Sequence, residues 1–304
     1  MENANNAAMN ALSDLAEAML ASVKPQIDQA IEREIEAQKA KIGVRKIVIC
    51  SPDGERKIEG HTNAIFEHVL KIVNAGLYPM IVGPAGCGKT HLSAQIAKAL
   101  GLRYYAESVS EATSEATLFG RLLPVAEGGT FQFCEGPFLN FLENGGLFCF
   151  DEMDAGSPNA FTAINAPLAN DQYFCAMRAA TGGKAYVKKH PEFRAIACAN
   201  TFGNGGSVMY AGRNQLDAAT LDRFVMIHMD YDLAFEAALA PSYVSEFVWK
   251  IRERIAQNNM RKIASTRMIV KMGAMVEAGI SFKDAKKFIL TDWSRDDLAR
   301  IGEA

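Results

Sequence analysis

Residues 83–90 read Gly83-Pro84-Ala85-Gly86-Cys87-Gly88-Lys89-Thr90 and match the pattern G-x-x-x-x-G-K-[ST] in full. Glycines let such a loop wrap so that successive backbone N–H groups point inward as a nest for an anion. Lys89 is then expected to reach the β- and γ-phosphates of a nucleotide, and the Thr90 hydroxyl to hold Mg²⁺. Average composition gives a chance match in roughly 1% of chains this long. The stretch therefore predicts a nucleotide site, and His91, the next residue, is included among the expected contacts.

The segments on either side of this loop support the same conclusion. The run YPMIVG before it is apolar without alternation, which is typical of a strand that is buried on both faces. The segment THLSAQIAKALG after it carries Leu92, Ile96 and Leu100 at four-residue steps and ends at Gly101, as expected of a helix. The phosphate site requires this order, because the beginning of the helix adds partial positive charge to the nest.

Further apolar runs of the same kind occur along the chain. LFCF (147–150), AIACA (195–199) and FVMIHM (224–229) predict buried strands, and helical segments separate them. Before the loop, NAIFEHVLKIVNAG has an apolar helical face that ends at Gly76. Strands that alternate with helices predict an α/β fold with a parallel sheet.

The composition of the sequence divides the chain into three parts. Residues 1–45 have apolar residues at helical spacing and predict a helical or partly disordered N-terminal arm. A helix for oligomerisation or adaptor docking is the alternative for this arm. Residues 46–232 contain the predicted strands and form the expected α/β nucleotide-binding domain. Residues 233–304 read as helices throughout and predict a small all-helical domain.

Composition and charge exclude several classes of protein. The 304 residues are 49% apolar and 22% charged, which is ordinary for a globular chain. A formal net charge of −3 excludes a chain that binds nucleic acid by overall positive charge, and also a charge-driven disordered chain. No apolar run approaches the roughly 18 residues of a membrane span, and the N-terminus lacks the pattern of a secretory signal. We therefore expect a cytoplasmic protein without membrane contact.

The six cysteines predict neither a zinc site nor disulfides. No two of them are within four residues of each other, so the sequence contains no C-x-x-C half-site. In a cytoplasmic protein we expect them to be reduced and structural. Cys149 and Cys198 lie in apolar runs, where a thiol acts as a small hydrophobe. Cys87 lies in the glycine-rich loop and is the candidate for a reactive thiol.

Two acidic residues follow the apolar run LFCF. Asp151 and Glu152 would lie at the carboxyl end of a buried strand, which is where α/β sheets bind ligands. Downstream of a phosphate-binding loop, Asp151 is expected to organise the Mg²⁺ shell, and Glu152 to orient or activate the attacking water. The alternative for such a pair is an ordinary helix N-cap.

The phosphate-binding loop, the acidic pair and the helical C-terminal part together resemble the AAA+ ATPases. In detail the sequence is similar to their MoxR-like branch, including the CbbQ/NorQ type, and to the wider dynein-related (AAA_5) group. The resemblance covers about residues 58–290. It implies a P-loop NTPase fold with a parallel five-stranded αβα core followed by a helical lid, and it implies ATP and Mg²⁺ as cofactors.

Three further site residues follow from this resemblance alone. FRAIACANT matches the sensor-1 strand, so Asn200 is expected near the γ-phosphate or the attacking water; an Asn that starts a turn is the alternative. GRNQLDAATLDRF matches the segment that ends in the arginine finger, so Arg223 would reach the γ-phosphate of the neighbouring subunit. Pairing of Arg223 with Asp222 is the alternative, and Arg213 is a second candidate for the interface. STRMIVKMGAMVEAG resembles the sensor-2 helix, so Arg267 would report nucleotide state to the lid, with an ordinary surface arginine as the alternative.

Two insertions of the MoxR-like branch also have counterparts in the sequence. Residues 120–136 (GRLLPVAEGGTFQFCEG) contain a Gly-Gly turn and alternating aromatic residues, as in a hairpin. Residues 171–190 (DQYFCAMRAATGGKAYVKKH) have strand-like arms around a second Gly-Gly pair. In rings of this type the two elements face the central pore and partners. Lys184, Lys188 and Lys189 are therefore candidates for substrate contact, with a solvated hairpin as the alternative.

The resemblance implies an Mg²⁺-dependent ATPase that assembles as a homo-oligomeric ring, expected to be a hexamer, and remodels or activates a partner protein. A von Willebrand A-type partner would have to be a separate chain, because this sequence lacks a D-x-S-x-S motif. A nucleic-acid motor or loader is the alternative from a different class, and the near-neutral charge weighs against it. A GTP-specific relative is a third alternative, although Phe202-Gly203 stands where such relatives carry an acidic residue.

Overall fold

The computed structural model describes residues 47–51, 54–58, 61–125, 129–206, 210 and 212–303, and of residues 47–58 the backbone only. These residues belong to one compact unit, Arg45–Ala304. The predicted N-terminal arm, residues 1–45, lies outside the described residues. A helical or partly disordered arm, and a helix for oligomerisation or adaptor docking, therefore both stay predictions.

Strands alternate with helices along most of the described chain. The strands are β1 (Ile47–Ser51), β2 (Gly54–Ile58), β3 (Tyr78–Val82), β4 (Tyr104–Ser108), β5 (Gly120–Pro124), β6 (Phe131–Glu135), β7 (Gly146–Asp151), β8 (Gln172–Phe174), β9 (Tyr186–Lys188), β10 (Phe193–Ala199) and β11 (Phe224–His228). The helices are α1 (Phe66–Asn74), α2 (Lys89–Leu100), α3 (Glu115–Phe119), α4 (Pro137–Asn144), α5 (Pro158–Thr162), α6 (Asn165–Ala169), α7 (Ala176–Ala180), α8 (Ala218–Leu221), α9 (Leu233–Ala237), α10 (Ser242–Gln257), α11 (Thr266–Glu277), α12 (Phe282–Ile289) and α13 (Arg295–Ile301). None of these described helices is long and apolar enough to cross a membrane.

Five of the strands form one parallel sheet, in the order β11-β3-β10-β7-β4. The register sets Ala197 of β10 beside Met80 of β3, and Ile196 of β10 beside Cys149 of β7. Consecutive strands of a parallel sheet need crossover connections, and the helices between them supply these connections. The parallel sheet expected from the sequence, and the five strands that the family resemblance implies, are confirmed.

The central strands are buried on both faces because successive side chains of a strand point to opposite sides. Phe148 and Phe150 of β7 pack into one apolar layer, whereas Leu147 and Cys149 pack into the other, together with Leu92 of α2. An uninterrupted apolar run such as LFCF is therefore the pattern of a strand with helices on each side. This gives the three-layer αβα arrangement.

The two outer strands of the described sheet differ from what their sequences predict. The run FVMIHM predicts a buried strand, but Val225 and Met226 of β11 are each 38% exposed, because β11 is an outer strand. The prediction of a fully buried strand is wrong at this position. The other outer strand, β4, reads YYAES and is partly exposed along its length. It was not predicted, since a half-exposed strand accepts polar residues and loses the apolar run that marks a buried one.

After β11 the described residues form helices α9 to α13. A third apolar cluster lies among these helices and includes Val248 and Ile251 of α10 and Ile269 and Met272 of α11. Their spacing of three residues within each helix places them on one face. The change from strands to helices occurs where the sequence predicts it. The division into two domains at residue 232 stays a prediction, since the described residues cluster as one unit.

Both predicted hairpins are present beside the main sheet. β5 pairs antiparallel with β6, with Leu122 opposite Phe133, while residues 126–128 of the connection lie outside the described residues. β8 pairs antiparallel with β9, with Tyr173 opposite Val187. The chain between β8 and β9 forms helix α7 before it turns, because its sequence AMRAA consists of good helix formers.

Candidate nucleotide-binding site

The glycine-rich loop connects β3 to α2 at the carboxyl end of the parallel sheet. Gly86 and Gly88 have φ angles of 73° and 101°, in the left-handed region that favours glycine. A Cβ at Gly86 would lie 2.6 Å from the Cβ of Ser265, and a Cβ at Gly83 would lie 1.9 Å from the Met229 carbonyl oxygen. The loop thus needs glycine both for its backbone conformation and for the close approach of its neighbours.

Two tyrosines hold the loop at Ala85. The Ala85 N–H donates to the Tyr210 hydroxyl at 2.9 Å, and the Tyr231 hydroxyl donates to the Ala85 carbonyl oxygen at 3.0 Å. Burial raises the pKa of Tyr231, so its hydroxyl stays protonated and remains a donor at neutral pH. These contacts engage both backbone polar groups of Ala85 and hold the two peptide units that flank it.

Lys89 is a buried cation, being only 8% exposed. In the described part of the chain its ammonium donates to neutral oxygens: the carbonyls of Gly83 and Pro84 at 2.8 and 3.0 Å, and Asn200 Oδ1 at 2.8 Å. A buried charge is stable only when it is paired and hydrogen-bonded. The position therefore favours an incoming anion, and the phosphates of a nucleotide are such an anion.

Thr90 and Asp151 bring together the two expected Mg²⁺ ligands. Thr90 Oγ1, at the beginning of α2, donates to Asp151 Oδ2, at the end of β7, over 2.8 Å. A hydroxyl and a carboxylate are oxygen ligands of the kind that Mg²⁺ accepts beside phosphate oxygens and waters. The pair fits this ion, which when bound neutralises negative charge that develops on the phosphates.

Glu152 follows Asp151 in a strained backbone conformation. Its φ of 56° and ψ of 37° lie in the left-handed region, which is uncommon for a residue with a side chain. The Glu152 N–H donates to Asp151 Oδ1 at 3.2 Å, and its side chain is 51% exposed. Both carboxylates line the same cavity. Strain of this kind is concentrated at functional sites, where the surrounding structure maintains it.

Asn200 lies directly after β10 and touches the phosphate-binding loop through Lys89. Its backbone N–H donates to Asp154 Oδ2 at 3.1 Å, and the N–H and the hydroxyl of Thr201 both donate to the same oxygen at 2.9 Å. Asp154 is completely buried. The structure thus brings Asn200 to the loop on a firmly held backbone, while its sensor role stays a prediction.

A cavity of about 510 Å³ joins these groups. Its polar lining comes from the loop, the acidic pair and the residue after β10, whereas Phe235, Leu239 and Val270 supply an apolar lining. His91 and Arg267 also line the cavity, and their proposed contacts with a nucleotide stay predictions. Polar groups for phosphates beside apolar walls for a base are the usual composition of a nucleotide cavity.

The two remaining arginines of the sequence prediction lie in different places. Arg223 is not among the residues that line the cavity; its guanidinium donates to the carbonyl oxygens of Asn165, at 3.1 Å, and Ala219. Among the described residues it forms no ion pair with Asp222. Arg213, in contrast, is 13% exposed and pairs within its own chain with two carboxylates of the site. Arg213 is not among the residues that line the cavity either, but it contacts Glu152, which does line it. Its place at a subunit interface stays a prediction.

The thiol in the loop is not a reactive one. Cys87 is 1% exposed, and burial raises the pKa of its thiol, so little thiolate forms at neutral pH. The prediction of a reactive Cys87 is therefore wrong. Cys149 and Cys198 are completely buried free thiols, as their apolar runs predict.

Sequence reasoning missed three residues that shape the site. Asp154 gave a weak signal, because it stands two residues after the acidic pair in the run DEMD. Tyr210 and Tyr231 gave none, because the residue they hold lies 125 and 146 positions away along the chain. Contacts of this separation form only in the folded protein.

The sequence is similar to a known family of domains and to several known proteins. A model of the "AAA domain (dynein-related subfamily)" matches residues 79–224. The denitrification regulatory protein NirQ of Pseudomonas aeruginosa is 27% identical over 80% of this chain and 91% of its own. The gas vesicle ATPase GvpN of Haloferax mediterranei is 24% identical over 72% of this chain and 67% of its own. Midasin of Dictyostelium discoideum is 32% identical over 57% of this chain, a match that spans 3% of midasin.

These similarities and the cavity between the sheet and the helices agree on one class of protein, the AAA+ ATPases, which hydrolyse ATP. The domain match begins at the strand before the phosphate-binding loop and ends at the first residue of β11. The domain match and the similarity to NirQ and GvpN support a MoxR-like AAA+ ATPase, and the CbbQ/NorQ-like family is close.

Proposed function

We propose that the chain is an Mg²⁺-dependent ATPase that works in the cytoplasm as a homo-oligomeric ring, a hexamer, and remodels or activates a partner protein. One observation carries the Mg²⁺ and ATP part of this proposal. Lys89, a buried cation whose described acceptors are neutral, lies one residue before Thr90, whose hydroxyl contacts the Asp151 carboxylate. A nucleotide with its metal ion satisfies all three groups at once.

The position of Arg223 supports the ring. Its guanidinium is half-buried and is held by two carbonyl oxygens away from its own cavity. A cation in that position cannot stabilise phosphate charge in its own site without a large movement, but it can serve a neighbouring subunit. Hydrolysis would then depend on assembly, because each site lacks this cation until a neighbour binds.

The two hairpins support action on another protein. Phe174 of β8 and Tyr186 of β9 are 52% and 63% exposed and lie against each other, with ring centroids 5.4 Å apart, and Phe131 of β6 is 59% exposed. Together they offer apolar surface that a protein client would cover. Lys189 is a weaker candidate for client contact, since its ammonium donates to the Leu168 carbonyl oxygen at 2.9 Å and burial lowers its pKa. The relative NirQ is named a regulatory protein, which also supports a protein client, or a separate von Willebrand A-type partner.

A subunit-mixing experiment tests the shared site. Glu152→Gln is expected to bind ATP without hydrolysing it, and Arg223→Ala to bind ATP but lose turnover. When the two variants are mixed, turnover returns, because an intact Glu152 in one subunit meets an intact Arg223 from its neighbour. Arg254→Ala, at an exposed position of α10, serves as the control and keeps full activity. Mixed oligomers that stay inactive, or wild-type turnover that is independent of protein concentration, would contradict the shared site.

A second experiment tests the phosphate and metal assignments. Lys89→Ala is expected to abolish binding of a fluorescent ATP analogue, and removal of Mg²⁺ with a chelator to abolish turnover reversibly. Unchanged binding by the Lys89 variant would contradict the phosphate site. Turnover with GTP, and stimulation of turnover by DNA or RNA, are measured in parallel, because a GTP-specific enzyme and a nucleic-acid motor are the alternatives.

A further inference from the structure

Arg213 connects two carboxylates of the site. Its Nη1 lies 3.2 Å from Asp154 Oδ1, and its Nη1 and Nη2 lie 3.4 and 3.5 Å from Glu152 Oε2. The arginine is 13% exposed, Asp154 is completely buried, and the Glu152 side chain is 51% exposed. One guanidinium therefore joins a buried carboxylate inside the protein to a half-exposed one that lines the cavity.

Asp154 is a firm anchor for this arginine. Its Oδ2 accepts three hydrogen bonds from Asn200 and Thr201, so the carboxylate cannot rotate, and its Oδ1 is aimed at Arg213. The next residue, Asn214, adds a backbone hydrogen bond to the Asp154 carbonyl oxygen at 2.8 Å. The segment that carries Arg213 is thus tied to the chain just after the acidic pair.

The backbone of Glu152 does not by itself fix the position of its carboxylate, so a further contact is needed to hold the side chain. The left-handed conformation sets the direction of the Cα–Cβ bond, but a half-exposed glutamate keeps several rotamers. A group that activates water must lie within hydrogen-bond reach of that water, and small displacements are costly for the rate. A cation held by a buried carboxylate selects one of these rotamers.

We propose that Arg213 is a positioning residue that acts through Glu152, with Asp154 as its anchor. This proposal rests on the proposed role of Glu152 in activating the attacking water. It assigns Arg213 to its own subunit, in contrast to Arg223, which serves the neighbour. In this proposal Asp154 positions two residues that are expected near the γ-phosphate. It positions Glu152 through Arg213, and Asn200 through a hydrogen bond from the Asn200 backbone N–H.

The test is a double-mutant cycle in single-turnover ATP hydrolysis by the full chain. Arg213→Ala in the wild-type background is expected to slow hydrolysis about 10-fold or more, a fraction of what a general base contributes, with ATP affinity unchanged within about 2-fold. Because Glu152→Gln does not turn over, the same change in that background is followed as slow residual single-turnover hydrolysis over long incubations. No further loss of that residual rate is expected, because the residue on which Arg213 acts is already gone. Arg213→Lys keeps the charge without the planar fork and is expected to recover part of the rate.

Several outcomes would overturn the proposal. These are an unchanged or faster rate in Arg213→Ala, a parallel loss of ATP affinity, or an equal loss in both backgrounds, which would mean that the arginine acts independently of Glu152. Arg254→Ala is the matched control, and circular dichroism checks that each variant is folded. Normal turnover by Glu152→Gln alone would instead contradict the role of Glu152, so that failure of the proposed function is distinguishable from failure of this inference.

Discussion

Asp154 and Glu236 are both carboxylates without exposed surface, and each is paired with one arginine. Asp154 follows β7 in the αβα core, and its arginine, Arg213, contacts Glu152. Glu236 lies in α9, among the C-terminal helices, and its arginine is Arg252 of α10. The same arrangement therefore occurs twice, once beside the acidic pair of the cavity and once among the C-terminal helices that line it.

The two carboxylates accept four hydrogen bonds each, but those of Glu236 all come from side chains, whereas two of those of Asp154 come from backbone N–H groups. Glu236 accepts hydrogen bonds from Trp249 Nε1 at 2.7 Å, from two nitrogens of Arg252 at 3.0 and 2.7 Å, and from Thr266 Oγ1 at 2.6 Å. Arg252 also stacks 3.8 Å above the ring of Tyr231, whose hydroxyl holds the phosphate-binding loop. Through these contacts the cluster connects three helices of the C-terminal part to the loop.

The two clusters differ in how directly they contact Glu152, the residue that is proposed to activate the attacking water. Asp154 is one side chain away from the residue that is proposed to activate water, whereas Glu236 reaches the loop through an arginine and a tyrosine. We expect that damage to the Glu236 cluster mainly lowers stability and nucleotide affinity. Damage to the Asp154 cluster is expected mainly to lower the rate. The following variants test this distinction.

The largest effect is expected from Glu236→Ala. This change leaves the Arg252 guanidinium, the Trp249 N–H and the Thr266 hydroxyl without their acceptor, which should lower the free energy of unfolding by about 3–5 kcal/mol. Urea denaturation measures the loss, with Glu246→Ala at an exposed position of α10 as the control. A loss as small as that of the control would show that the cluster does not stabilise the fold.

The second prediction compares the two arginines directly. Arg252→Ala removes two hydrogen bonds from Glu236 and should cost about 3 kcal/mol or more. Arg213→Ala removes one from Asp154, which keeps three other donors, and should cost about 1.5–3 kcal/mol. Urea denaturation of both variants under one set of conditions gives the difference. Equal losses, or a larger loss for Arg213→Ala, would reverse the ranking of the clusters.

The third prediction uses a matched pair of threonines. Thr201→Val and Thr266→Val each remove one hydroxyl donor from a buried carboxylate at nearly constant shape, and each should cost about 1–2 kcal/mol. Thr201→Val should lower kcat, because Thr201 adjoins Asn200. Thr266→Val should raise KM for ATP, because Thr266 lines the cavity. Steady-state kinetics that showed the same pattern for both variants would remove the distinction between the clusters.

The smallest effect is expected from Tyr231→Phe. The variant loses the hydrogen bond to the Ala85 carbonyl oxygen, which should cost about 0.5–1.5 kcal/mol, and the looser loop should raise KM for ATP a few-fold. Tyr243→Phe, at a 44% exposed position, is the control. A fall in kcat at unchanged KM would assign Tyr231 to the chemistry instead.

Much of the fold and of the site follows from local sequence. The loop and the acidic pair were predicted because each consists of neighbouring residues whose order along the chain is itself the chemical arrangement. The strands β3, β7 and β10 were predicted because burial on both faces leaves an uninterrupted apolar run. Asn200 and Arg267 were expected only from the family resemblance, and the structure places Asn200 beside Lys89 and Arg267 at the cavity.

What the sequence did not reveal depends on contacts between distant residues. Arg213 and Asp154 are 59 positions apart, and Arg252 and Glu236 come together only when two helices pack. The outer strands β4 and β11 were missed or misread because one side of each lacks the neighbour that imposes an apolar sequence. A buried carboxylate also carries no local pattern, since an aspartate in a turn looks the same whether it is paired or solvated.

The left-handed backbone at Glu152 has a consequence for protein engineering. Glycine adopts this conformation without steric cost, so the fold alone would prefer glycine at the position that supplies the proposed water-activating carboxylate. A library of this chain sorted for heat resistance would therefore accumulate glycine at residue 152. The survivors would still bind nucleotide but would no longer hydrolyse it, because selection for stability and selection for turnover act in opposite directions on this residue.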